Sequence, residues 1–457
     1  MKTKIVIIGG GLSGTLIAMR LASQSNGPTV ILIEKRPELL GRGIAYQNDF
    51  THQPLNVVAA GMSIFEDKPM DFVDWLNSNR FKYKHLIKTN SPQAFVPRKI
   101  FGDYIVEQLE NVQQSSAGRL RIRIDEATSI LDEGNRKHVV LASGLKLQAD
   151  HVVFALGNFP PSDIFPNHSL LQSDSRYHGS PWSDTIYRDL VGDENLLLVG
   201  AGLSAVDVLL GLNLRNFAGK VTVISRRGRF PLSHDLSHAS IPLALPENKH
   251  PRSLFLWIRT FIRNNGNVPW PAIIDGLRPL TKKVWLHWSI DEKRYFLKRI
   301  RPFWEIVRHR IPAESQSLLQ SLIDSDLLEI KEGYIIDGRP TDNGIEVDFY
   351  AENKRSRKTF QKVINCTGPE SNYRKVRFPV IRELIERGTM MTDELGLGIK
   401  CTPEGRIINA HGNLEEGLWC IGPMRKSVLW ESTALREIRE QATELSKLLR
   451  ISRLITS

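Results

Sequence analysis

Residues Lys4–Ala18 read KIVIIGGGLSGTLIA. Ile5–Ile8 is a continuous apolar run, the pattern of a parallel strand buried on both faces. Gly9, Gly11 and Gly14 follow, and a helical pattern starts at once through Leu12 and Ser13. Glycines at this spacing let the backbone turn sharply and approach a pyrophosphate at the positive end of the next helix. A second apolar strand, Thr29–Ile33, ends at Glu34 and Lys35. Glu34 lies about 20 residues past Gly14, where an acid accepts the hydroxyls of an adenosine ribose. Strand, glycine turn, helix and acid together predict a dinucleotide-binding fold.

The pattern recurs. Asn195–Val199 is an apolar strand, Gly200–Leu212 reads GAGLSAVDVLLGL, and Lys220–Ile224 is the next strand. Gly200, Gly202 and Ala205 form G-x-G-x-x-A, with Leu203 and Ser204 opening the helix. After each motif come short alternating strands, the first set turning at Glu133-Gly134-Asn135 and Ser143-Gly144. Each set leads to an apolar strand closing on a glycine: DHVVFALGN (Asp150–Asn158, with Gly157) and KVINCTGP (Lys362–Pro369, with Thr367 and Gly368). The fold class predicted is α/β, with two Rossmann-like dinucleotide-binding domains, the second nested in the first, and a helical insertion. The expected boundaries are 1–165 and 360–457 for the first domain, 185–230 and 312–359 for the second, and 231–311 for the insertion.

The insertion has its own composition. It holds five of the nine tryptophans (Trp257, Trp270, Trp285, Trp288, Trp304). Of the net charge of +11, Lys249–Arg310 carries 14 − 4 = +10. The rest is close to neutral, which argues against a nucleic-acid coat. A packed helical cap and an interfacial surface along Leu254–Ile262 (LFLWIRTFI) are both open readings, so peripheral membrane contact stays in view. No apolar run approaches the ~20 residues of a membrane-spanning helix, and the N-terminal run is too short for a signal peptide. Cys366, Cys401 and Cys420 show no C-x-x-C pair and no metal-ligand spacing, so no metal is expected and a reducing, cytoplasmic setting is.

The strand ends distinguish two cofactors. Glu34 suits a free ribose hydroxyl, whereas Ser225-Arg226-Arg227 suits a 2′-phosphate, favouring NADPH. A flavin is the natural partner, since hydride passes from NADPH to the isoalloxazine. Near the C-terminus, Gly417–Met424 reads as a buried strand containing Gly422 and Pro423, and Glu431–Leu449 as a long helix. That helix, starting near Trp430-Glu431-Ser432-Thr433, can aim its positive end at the flavin.

These residues carry a resemblance. The whole chain is similar to the two-dinucleotide-binding-domain flavoproteins, and specifically to the bacterial FAD-NAD(P)-binding protein family. The matching stretches are GGGLSG, GRGIAY (with Gly43 and Tyr46), PLNVVAAGMS, FVPRKIFGDY, VVFALGN, VGAGLSAVD, SRRGRFP, VINCTGP, GLGIK and WESTALREIREQA. The resemblance implies FAD in the first fold and NADPH in the second. More distantly the chain resembles flavin-containing monooxygenases and N-hydroxylases. That likeness implies a catalytic Asn56 beside the flavin, followed by a turn at Met62-Ser63-Ile64-Phe65. Two departures stand out. The fingerprint found between the nucleotide motifs of Baeyer–Villiger-type enzymes is compressed to Tyr177–Trp182, and Gly422-Pro423 stands where many related flavoproteins place an aspartate.

The leading expectation is an NADPH-dependent FAD monooxygenase acting on a small, polar or anionic substrate under the basic insertion. The alternatives are a flavin reductase or dehydrogenase without oxygen activation, and a redox-sensing flavoprotein docking an acidic partner. A Ser/His/Asp hydrolase is excluded because no G-x-S-x-G elbow follows a strand, although His234, Asp235 and His238 cluster.

Overall fold

A computed structural model describes residues 3–47, 51–87, 89–133, 136–165 and 169–455. The chain forms two compact units, 1–159 with 371–457, and 160–370.

The first unit is built on a six-stranded sheet. Lys4–Ile8 pairs in parallel with Thr29–Glu34 on one side and His151–Phe154 on the other. Leu120–Ile124 and Leu414–Cys420 extend it in parallel, and Arg406–Ile408 closes one edge antiparallel. Ile5, Val6 and Ile7 are fully buried, as expected of a central strand with both faces covered. The helix Leu12–Ala22 is buried along its length except at Arg20. It packs between the sheet and the long helix Leu435–Ile455, sharing a core with Ile438, Ala442 and Leu445. The strands Ala127–Glu133, Arg136–Leu141 and Lys146–Ala149 form a separate antiparallel meander. Its expected turn at 133–135 lies, at 134–135, outside the described residues.

The second unit repeats the construction. Leu196–Val199 pairs in parallel with Val221–Ser225 and Lys362–Asn365, and Leu328–Thr341 joins in parallel before bending into an antiparallel meander with Gly344–Ala351 and Lys354–Phe360. Lys362–Asn365 therefore belongs to the second sheet, and the first unit resumes only at 371, later than the boundary expected at 360.

The insertion lies in the second unit. From Phe230 to Lys249 it carries no helix or strand beyond a bridge between Ser233 and Ile311. The helices Pro251–Asn264, Trp270–Leu277, Thr281–His287, Ile290–Arg299 and Arg301–Arg308 follow. Trp285 and Trp288 are core residues that pack against Phe296, the first edge-on and the second tilted, whereas Trp257, Trp270 and Trp304 are half-buried. His238 sits 3.6 Å from both Asp235 and Asp275, and Asp275 also receives Arg310 at 2.7 and 3.1 Å. These contacts hold the coil against the helix Trp270–Leu277. The helix Pro251–Asn264 turns Arg252, Leu256, Arg259 and Arg263 outward. No helix among the described residues is long and apolar enough to cross a membrane.

Candidate functional site

In the first unit the glycine turn is enforced by its surroundings. Gly9 has φ +104°, and a Cβ there would lie 2.4 Å from the carbonyl oxygen of Ala155, at the end of His151–Phe154. A Cβ on Gly14 would lie 1.9 Å from the carbonyl oxygen of Gly9. Gly11 is extended (φ −71°, ψ −168°) and faces Gly43, whose φ is +58°. The turn thus presents bare backbone at the start of a long buried helix, the arrangement that accepts an anion.

The expected residues assemble around it. Glu34 accepts the Gly10 N–H at 2.8 Å and the Arg36 N–H at 3.0 Å, so its carboxylate is fixed beside the turn. Lys35 pairs with Glu126 at 2.8 Å and is turned away from that carboxylate's contacts. Gly41 donates to the Gly10 carbonyl at 2.8 Å, holding the Gly41–Tyr46 loop against the turn. Gly422 (φ +79°) comes so close to Ser13 that a Cβ would lie 2.5 Å from its Oγ, and its N–H donates to Gln441 at 2.8 Å. Pro423 follows in a short helical turn, and Leu12 and Ser13 are buried. Gly157 (φ +67°) is open, with no atom within 4 Å of a Cβ position.

The remaining expected residues lie on the surrounding loops and in the core. Tyr46 packs edge-on against Phe101 at 4.8 Å, and burial pushes its phenol up to about 12. Ser63 Oγ accepts from the Phe65 N–H at 3.1 Å and donates to the Lys68 carbonyl at 2.6 Å, so this hydroxyl shapes its own turn. Met62 is core. Asn56 is half-buried on a loop pinned by the Leu55 N–H to Val96 carbonyl bond of 2.8 Å. The long helix starts at Leu435, after the expected Glu431, because the chain turns first at Trp430. Trp430 has φ +60° and ψ −62°, and the Glu431 N–H donates to the Leu429 carbonyl at 2.7 Å, making a strained γ-turn around a buried indole. Lys426 lies 5.0 Å from that ring.

The second unit copies the first. Gly200 has φ +108°, and a Cβ would lie 2.5 Å from the Cys366 carbonyl oxygen, the counterpart of Ala155. Gly202 precedes the helix Leu203–Leu214 with nothing within 4 Å of a Cβ position, and Gly368 (φ +92°) is equally open. Ser204 is half-buried in the first turn of that helix. The Thr367 hydroxyl donates to Asn365 Oδ1 at 2.6 Å. Arg226 and Arg227 are exposed at the end of Val221–Ser225, and neither pairs with a carboxylate among the described residues. Arg227 lies 5.7 Å over the Phe303 ring.

Three features escape the sequence patterns. Asn365, fully buried, holds Thr367 and also donates to the Ser162 carbonyl at 2.8 Å. Its signal was an amide ending an apolar strand. Asp103 gathers Arg42, Lys99 and Tyr83 at 2.6–2.8 Å, and although burial alone would raise it, these donors hold its carboxyl below the usual range. Arg425 is fully buried beside Gln441 and the Pro403 carbonyl. The three cysteines are free and buried, and the Cys401 and Cys420 thiols meet in the first unit's core.

Comparison with known proteins agrees with this architecture. Residues 6–159 match a family model described as FAD-NAD(P)-binding. No curated protein sequence matches the chain. Among solved structures, the ornithine N-hydroxylase of Kutzneria sp. 744, titled with reduced FAD, NADP+ and L-ornithine, superposes with a TM-score of 0.68 at 16% identity, covering 99% of this chain and 100% of that one. The reduced ornithine hydroxylase of Pseudomonas aeruginosa gives 0.65 at 15% identity over 98% and 99%. The L-lysine 6-monooxygenase of Pseudomonas syringae gives 0.65 at 14% over the same shares. Over residues 6–159 the chain matches the FAD-NAD(P)-binding family, and its whole length takes the fold of the two-dinucleotide-binding-domain flavoproteins.

Proposed function

We propose that this chain is an FAD-dependent NADPH oxidoreductase and, within that class, a monooxygenase of small polar substrates. The observation that carries the reading is the duplicated cradle: two glycine turns, each closed by a carbonyl where only a hydrogen fits, ending in an acid in one unit and a pair of arginines in the other. The cradles fit the cofactors. Gly11 and Gly202 leave bare backbone where a pyrophosphate approaches, and the following helices add their positive ends. Glu34 is fixed by two N–H donors and keeps lone pairs for ribose hydroxyls. Arg226 and Arg227, exposed and without carboxylates, supply the charge that selects a 2′-phosphate.

Bound FAD would supply hydride acceptance from NADPH and, once reduced, reactivity toward oxygen. The protein's own contribution is positional. Gly422 seats the chain against Ser13, the γ-turn at Trp430 orients the segment leading into the last long helix, and the pinned loop fixes the position of Asn56. The basic insertion favours a substrate with anionic character.

One observation favours a second reading, a reductase without oxygen activation. The Ser63 hydroxyl of the monooxygenase-like turn is already committed to Phe65 and Lys68. Anaerobic reduction by NADPH followed by oxygen separates the two. The test adds L-ornithine and L-lysine, whose carboxylates supply the anionic character, in turn, and compares hydroxylated product with hydrogen peroxide by mass spectrometry and a peroxide assay. Substrate-dependent NADPH oxidation with stoichiometric hydroxylated product supports the monooxygenase. Peroxide alone with every amine supports the reductase, and no reduction by NADPH sinks both.

A further inference from the structure

The helix Arg301–Arg308 is anomalous. It has Phe303, Trp304, Ile306 and Val307 among eight residues, yet none of the eight is buried. Such a helix is normally held in place by covering its apolar face. Here that face overhangs a cavity of about 390 Å³. Phe303, Ile306 and Val307 form one wall, Leu319 and Ile323 of the helix Ala313–Asp324 another, and Ile330 of the strand Leu328–Thr341 also lines it. The strap Phe230–Leu232 completes it and is fixed, because the Leu232 N–H donates to the Ile306 carbonyl at 3.1 Å and Leu232 accepts from Ile311 at 3.0 Å. The groove is therefore preformed, with exposed apolar groups at its lip: Leu232 at 40%, Phe303 at 45% and Ile323 at 39%.

Among the described residues, the polar side chains that line it are Gln316 and Arg229. Arg229 is exposed and pairs with no carboxylate among the described residues, and Arg227 stands over Phe303 beside it. A wholly apolar occupant would leave that charge unused, and a nucleotide base would meet walls with almost no donors or acceptors. The volume falls at the lower end of small-molecule sites, ~300–1,000 Å³.

We propose that this groove binds a free aliphatic carboxylate, its chain lying between the two helices and its carboxylate on Arg229. The site stands independently of the redox reading, since it needs neither cofactor.

The test is calorimetric titration of the full-length protein with octanoate, decanoate and decan-1-ol below their self-association concentrations. One site is expected, with decanoate about 15-fold tighter than octanoate, from about fourfold per buried methylene. Decanol should bind about tenfold more weakly than decanoate, and Arg229→Gln should erase that difference. Ile323→Trp, which fills the groove from an exposed position, should abolish binding, and Phe303→Glu, on the opposite wall, should do the same. Absence of saturable binding, affinity independent of chain length, or binding unchanged in both wall variants would overturn the proposal. So would displacement of decanoate by 2′,5′-ADP, which would make the groove part of the nucleotide site.

Discussion

Two glycines of the first turn separate folding from cofactor binding. A Cβ on Gly14 would lie 1.9 Å from the Gly9 carbonyl oxygen and 3.1 Å from its carbon, both backbone atoms of the turn itself. Relief means lifting a helix buried everywhere except Arg20 off its sheet, and overpacking of that severity costs about 3 kcal/mol or more. A Cβ on Gly11 would lie 3.1 Å from the Gly43 Cα, a contact that a shift of tenths of an ångström relieves, and its φ of −71° imposes no strain. The folded-state cost there is about 1 kcal/mol, the difference between Gly and Ala at a helix N-cap. In a unit of this size 1 kcal/mol corresponds to about 2–4 °C of melting temperature. Gly14→Ala should therefore lower the melting temperature of flavin-free protein by about 6–12 °C, and Gly11→Ala by no more than about 4 °C. Gly11→Ala nevertheless puts a methyl group where a pyrophosphate would meet bare backbone, so FAD affinity should fall at least about tenfold. Differential scanning fluorimetry reads the first quantity and quenching of flavin fluorescence the second. The reasoning fails if Gly14→Ala melts within about 2 °C of the parent, or if Gly11→Ala binds FAD as tightly as the parent does.

Arg226→Ala with Arg227→Ala should reduce the preference for NADPH over NADH by about 10- to 100-fold in kcat/KM, since each charged hydrogen bond at an exposed site contributes toward the lower end of its range; steady-state kinetics with both nucleotides checks it. His178 in the second unit is held down to about 4 by burial, with Lys362 adding to the effect. Its depressed value means that the unfolded chain takes up the proton first, so stability present above pH 6.5 is lost as pH falls toward 4, by about 3 kcal/mol in full. Urea unfolding at pH 7 and pH 4.5 should show a decline that His178→Phe flattens. Asp103→Asn removes the charge that Arg42 and Lys99 share, and should destabilise the first unit by about 2–4 kcal/mol in chemical denaturation.

The glycine turns were legible because their chemistry is local: an apolar run, glycines at fixed spacing and a helix exclude most other backbones. The closing strands were legible in kind, and their ownership follows from geometry. His151–Phe154 ends under Gly9, and Lys362–Asn365 under Gly200, so each strand belongs to the cradle it closes. A boundary drawn at 360 cuts the second strand from its own turn. The start of the last helix was obscured because Glu431, Ser432 and Thr433 are all good N-terminal residues, while the γ-turn at Trp430 depends on burial of its indole in the fold. Asp103 as a hub, Arg425 in the core and the committed Ser63 hydroxyl were invisible for the same reason: each rests on partners supplied by other segments or by a particular loop path. The charge bias of the insertion was plain in the sequence, whereas the half-covered face of Arg301–Arg308 emerges only when its neighbours are in place.

The interrupted connectivity also sets an order of birth. The inserted unit, 160–370, has all of its strands once residue 370 has left the ribosome, whereas the first unit waits for the strand Leu414–Cys420 and the helix Leu435–Ile455. The helix Leu12–Ala22 is denied the cover of the helix Leu435–Ile455 until the whole intervening chain has been made. At ~5–20 residues per second that interval is on the order of 20–80 s. The inserted unit thus completes itself before the unit that encloses it, and the apolar face of Leu12–Ala22 stays open through that interval.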